Sequence, residues 1–161
     1  MFLLGVCGFI AAHIYFAESE RQQQELLALV RATGAANMES VRFFAGHDPR
    51  NNVICLEVNA PGLLAEFALF LSQADATYYG GHQSQKLPLR ILIKGRDGNE
   101  TKYLFRAFDR YPHDVFLNRD RYTVHDDGSH SLIGEEMIRV PGLLPWLQAV
   151  AANSKCLARP N

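Results

Sequence analysis

Three His-Asp dipeptides stand in this sequence: His47-Asp48, His113-Asp114 and His125-Asp126. The last is extended by Asp127 and followed by His130, so residues 113–130 hold the densest set of imidazoles and carboxylates. Imidazole and carboxylate together can bind a divalent metal or relay a proton. The candidate metal set is therefore His113, His125, Asp126 and His130, and the activity it would serve is that of a metal-dependent hydrolase. The competing reading is plain: 125–130 straddles Asp126-Asp127-Gly128-Ser129, and Asp and Gly are expected in any turn.

A second set is cationic. Arg106, Arg110, Arg119 and Arg121 cluster around Tyr111-Pro112. Guanidinium forks suit carboxylate and phosphate, which makes these four the candidate anion site. Asp109, Asp114 and Asp120 are interleaved with them, so local pairing on a solvated surface accounts for the same pattern. Tyr78-Tyr79-Gly80-Gly81-His82 is a candidate ligand-contacting loop, since binding residues concentrate on loops.

Other chemistry is missing its signature. No Gly-x-Ser-x-Gly elbow, Walker loop or Gly-x-Gly-x-x-Gly occurs, and each of those reactions needs its glycine-bounded turn. The three cysteines, Cys7, Cys55 and Cys156, form no Cys-x-x-Cys pair. An odd count at that spacing points to free thiols and a reducing compartment. No cofactor is expected. With 16 Lys+Arg against 17 Asp+Glu and a net charge of −1, the chain lacks the basic surplus that nucleic-acid binding requires.

The elements that must position these groups begin with an apolar leader. Met1 to Ala17 carries no Asp, Glu, Lys or Arg. As a helix it spans roughly 25 Å at about 1.5 Å per residue, near the short limit for a bilayer core of about 30 Å. It lacks the basic start and small-x-small site of a secretory signal. Residues 1–17 thus read as a single-pass membrane anchor, and 18–34 as a stalk helix closed by Gly34. Arg21 and Arg31 follow the anchor and weakly place the following domain on the cytoplasmic side.

Beyond the stalk, 38–155 reads as one α+β globular domain. Hydrophobic alternation broken by Gly, Asp and Asn predicts three hairpins: 40–44 with 53–58, 89–94 with 101–108, and 121–124 with 131–133. Two helices are predicted, one opening at Pro61 and nearly apolar all round, the other running from Pro141 to about Ala152. The expected fold is an antiparallel sheet of about six strands with two covering helices, preceded by the N-terminal hydrophobic helix. Ala60-Pro61-Gly62-Leu63-Leu64 is echoed by Val140-Pro141-Gly142-Leu143-Leu144, which suggests a ββα duplication over 40–76 and 121–153.

The function expected from these features is a non-enzymatic interaction or assembly domain, tethered to a bacterial-type inner membrane and partnered by other proteins of a membrane-bound complex. Its alternatives are a small-ligand sensor or carrier for lipid, nucleotide or organic acid, and the metal-dependent hydrolase above. No nucleic-acid partner is expected, and the sequence does not fix an oligomeric state.

Overall fold

The structure is a computed structural model that describes residues 2–48, 50–76, 85–119, 122–124, 130–132, 136–152, 154 and 156, with side chains for 16–48, 50–76, 87–119, 136–152, 154 and 156. Helix α1 (Phe2–Arg31) leads through a short 3-10 turn, Ala35–Asn37, into strand β1 (Met38–Ala45). Then follow β2 (Ile54–Val58), helix α2 (Pro61–Ser72), β3 (Gln85–Gly95), β4 (Glu100–Phe108), β5 (Tyr111–Arg119), β6 (Tyr122–Val124), β7 (His130–Leu132), β8 (Ile138–Val140) and helix α3 (Leu143–Val150). Six strands form one antiparallel sheet in the order β2-β1-β3-β4-β5-β8, and β6 pairs with β7 in a separate ribbon. The fold is α+β, as the hydrophobic pattern predicts.

Cross-strand register assigns the sheet's two faces. Val41 and Phe43 pair with Ile93 and Ile91, Ile91 with Tyr103, Phe105 with Leu117, and Leu117 with Ile138. Residues directly opposite one another share a face, and every one of these is buried in the main core. Against that face lie Leu64, Phe67 and Leu71 of α2, Leu143, Leu144 and Leu147 of α3, and Leu26, Leu27 and Val30 of α1. The second face carries Arg42, Phe44, Arg90, Leu104, Arg106, Phe116 and Asn118, by the same register.

Helices α2 and α3 pack on one another through Trp146. Its ring lies 5.8 Å from Phe67 and 5.9 Å from Phe70, and its Nε1 donates to Glu66 Oε2 at 2.7 Å. Positions 66 and 146 are equivalent in the Pro-Gly-Leu-Leu echo, and each echo follows an edge strand, β2 or β8. The 121–133 hairpin, assigned by sequence to the second ββα unit, pairs as β6–β7 outside the main sheet. The echo also diverges at its start. Pro61 and Gly62 are helical, whereas Gly142 takes φ 70° and ψ 0°, a left-handed conformation that excludes it from the helix. Helix α3 therefore begins at Leu143 rather than Pro141.

Three expectations need correction. First, the transmembrane, single-pass reading of 1–17 fails: among the described residues no helix is long and apolar enough to cross a membrane. The physical reason is length. A chargeless run of 17 residues gives only about 25 Å of helix, and α1 continues without a break into Glu18, Glu20 and Arg21, so lengthening the apolar window adds charge. The membrane localisation, and the cytoplasmic orientation inferred from Arg21 and Arg31, fall with it.

Second, residues 18–34 do not stand apart from the domain. Leu26 and Val30 are fully buried in its core, Gln23 Nε2 donates to Met137 O at 2.7 Å, and Arg31 Nε donates to Ala74 O at 2.8 Å. Third, two of the thiols are not free. Cys55 of β2 and Cys156 form a disulfide across 101 residues of sequence. The tertiary fold returns the chain after α3 to the first hairpin, a proximity that cysteine spacing does not encode.

Candidate functional site

The two edges of the sheet differ. β8 is only three residues long, and its outer side is occupied by Asp75. Asp75 N donates to Arg139 O at 2.8 Å, and Arg139 N donates to Asp75 O at 2.9 Å. The Arg139 side chain fastens this cap. Its Nη2 lies 2.6 Å from Asp75 Oδ2, and its Nη1 lies 3.6 Å from Asp114 Oδ2. Asp75 beside it raises the guanidinium's already high pKa. Asp114 Oδ1 also accepts from Gly142 N at 3.3 Å, so one carboxylate joins β5 to the entry of α3.

β2 is managed differently. Among the described residues no strand pairs with its outer side. An open edge presents a row of unpaired N–H and C=O groups that can template a further strand. Natural edges are commonly blunted with Lys or Pro, yet Ile54-Cys55-Leu56-Glu57-Val58 contains neither. Its one charge, Glu57, is engaged by Arg42, whose Nε donates at 2.7 Å. Val53 and Ile54, where the strand begins, remain 57% and 48% exposed. Leu56 and Cys55 turn to the core, with a bulge between the pairs Phe43–Leu56 and Phe44–Ile54.

The loop before β2 is held in shape by its own polar groups. Asp48 Oδ1 accepts from Arg50 N at 2.8 Å, and Asn51 Oδ1 accepts from Val53 N at 3.1 Å. Ala45 N donates to Val53 O and Gly46 N to Pro88 O. His47 Nε2 lies 3.1 Å from Phe105 O. The bulge between Lys86 and Leu89 interrupts the β3–β4 ladder beside Phe105, which leaves that carbonyl available to the ring.

Of the four candidate arginines, the three that are described, Arg106, Arg110 and Arg119, do not come together. Arg106 shares a sheet face with Phe116, and Arg119 shares one with Tyr103. Residues 103 and 106 are an odd number apart on one strand, so Arg106 and Arg119 lie on opposite faces. Arg119 reaches toward α1, with Nη2 4.0 Å from Glu25 Oε2. Arg110 is exposed at the β4–β5 turn, its guanidinium 5.9 Å from the Tyr111 ring centroid. It is nine residues from Arg119 along β5, about 30 Å at ~3.3 Å per residue. Arg121 lies outside the described residues.

Of the metal set, His113 is exposed on β5. His125 and Asp126 lie outside the described residues, and His130 is placed only by its backbone, paired with Val124. Among the described residues no group of three or more His, Cys, Asp or Glu could hold a metal ion. The Tyr78–His82 loop lies outside the described residues. Where α1 meets the sheet, Gln22, Leu26, Arg119 and Glu136 line a dimple that encloses no space for a water molecule.

Sequence reasoning missed the open edge because edge and centre strands share a hydrophobic pattern; only the pairing order separates them. The pair Val53-Ile54, two apolar residues directly after a polar turn, is the one local signal. Comparison of the chain with family models, with curated proteins and with solved structures returns no match.

Proposed function

We propose that this chain is a non-enzymatic interaction domain that recruits an extended segment of a protein partner to the outer side of β2 by strand addition. The observation that carries this reading is the contrast between the two edges: β8 is capped by Asp75 and Arg139, whereas β2 opens with exposed Val53 and Ile54. Strand addition draws affinity from main-chain hydrogen bonds and specificity from alternate side chains. The apolar pair would contact the partner's side chains, and the rigid sheet behind β2 limits the ordering cost. The Cys55–Cys156 bridge fixes β2 from the core side and supports placement in an oxidising compartment.

The test is site-specific photo-crosslinking in the native host. A photoreactive phenylalanine analogue replaces Ile54 at the open edge, or Leu69 on the exposed flank of α2. The expected outcome is a discrete adduct from position 54 that is absent from position 69. Val53→Lys should reduce that adduct at least tenfold without changing the melting temperature. Equal adducts from both positions, or an adduct indifferent to Val53→Lys, contradict the reading.

A further inference from the structure

Arg90 sits on the second face of the sheet, in the middle of β3, directly opposite Phe44 on β1 and Leu104 on β4. It is only 9% exposed. Its guanidinium lies over the Phe44 ring, 5.3 Å from the centroid, and Nη2 donates to the carbonyl of Asn51 in the loop that folds across β3. Among the described residues no carboxylate pairs with it: Nε is buried without a partner, and no group accepts a hydrogen bond from Nη1. On the neighbouring β1–β2 side of the sheet, Glu57 engages Arg42 and Glu39 engages Lys94. Arg106 stands on the same face, diagonal to Arg90 across Leu104.

A buried guanidinium without a counter-charge is unusual. Removing an ion from water is costly unless a counter-charge and hydrogen bonds offset the loss of hydration. Buried donors are nearly always satisfied, and Nη1, which no described residue engages, is the donor through which a ligand can offset the buried charge. We propose that Arg90 is a receptor for a carboxylate. An aromatic ring on one face and a backbone carbonyl on one amino group fix the guanidinium plane, which leaves its Nη1 side to form charge-assisted bonds with one planar oxyanion. A single fixed arginine suits a carboxylate better than a phosphate, which usually gathers several donors. Free carboxylic acids and acidic peptide side chains share this chemistry. The site does not involve the outer edge of β2, so it stands independently of the strand-addition proposal.

The test follows the Arg90 Nε–H signal by NMR in the intact, oxidised protein. Sodium acetate is titrated against sodium chloride at equal ionic strength, with acetamide as the uncharged isostere. The expected result is a saturable shift with acetate at millimolar concentration, and a response to chloride and acetamide at least tenfold weaker. Acetyl-Gly-Asp-Gly-amide is then compared with its Asn counterpart. Tighter binding than acetate, confined to the Asp peptide, assigns the source to an acidic segment; binding no tighter assigns it to a free acid. An Arg90 signal that responds to acetate no more than to chloride overturns the proposal. The wild-type titration decides alone, so it does not depend on Arg90→Gln folding; where that variant folds, it should abolish the acetate-induced shifts of neighbouring amides.

Discussion

Phe43→Ala should lower the unfolding free energy by about 3–5 kcal/mol. Phe43 is fully buried at the centre of the helix-covered face. Its ring meets Phe67 of α2 edge-on at 6.0 Å and Phe105 of β4 edge-on at 6.4 Å, so it joins the helix layer to strands on both sides of β3. Such aromatic pairs contribute about 0.5–1.5 kcal/mol beyond area burial. The cavity left by truncation is walled by three hydrogen-bonded strands and cannot collapse easily. A melting decrease of roughly 6–20 °C follows, at about 2–4 °C per kcal/mol for a domain of this size. Phe43→Leu, which keeps most of the volume, should cost only about 1–2 kcal/mol. Urea unfolding monitored at Trp146 measures both, and a loss under about 1 kcal/mol for the alanine variant contradicts the assigned core.

The second large effect is covalent. Opening Cys55–Cys156 releases a constraint over 101 residues of sequence. In the chain-entropy treatment a loop of about 100 residues corresponds to roughly 4.7 kcal/mol, and measured values usually fall to about 2–4 kcal/mol because the unfolded chain keeps some order. The double variant Cys55→Ser/Cys156→Ser should therefore lose about 2–4 kcal/mol. Dithiothreitol should lower the melting temperature of the wild type to that of the double variant and leave the double variant unchanged. A wild-type melt insensitive to the reductant contradicts the bridge. Because β2 carries Cys55, the same reduction should loosen the open edge and weaken any partner held there.

How much of this was legible in the sequence depends on how local each cause is. The hairpins β1–β2 and β3–β4 were legible because apolar alternation is punctuated by turn residues, and Gly98, at φ +82°, fills a position that favours glycine. Strand β5 was not. It starts with Tyr111-Pro112-His113-Asp114, which reads as a loop, and Val115-Phe116-Leu117-Asn118 are all buried. A strand buried on both faces loses its period of two. β8 is too short to show any period. Arg90, alternating with Leu89 and Ile91, reads as a solvent-facing residue; its burial and its contact with the Asn51 carbonyl arise from a loop some 40 residues earlier in the chain. Of the four arginines the sequence grouped, Arg106, Arg110 and Arg119 are close in number but are separated by strand pleat and strand length, and Arg121 lies outside the described residues. The carboxylate site proposed at Arg90 rests on a residue that the pattern gave no reason to choose. The apolar leader was misread because hydropathy ends at Ala17 while the helix does not.

The central claim is that the outer side of β2 is open and takes a strand. Amide hydrogen exchange along β2 tests it most directly, because a singly paired strand protects alternate amides while a doubly paired one protects them all. In the isolated protein, the outward-pointing amides within 54–58 should exchange fast and those paired with β1 slowly. With the crosslinked partner bound, the fast set should become protected while β8 stays unchanged. Uniform protection of β2 in the isolated protein, or a fast set that stays fast in the complex, would contradict the account.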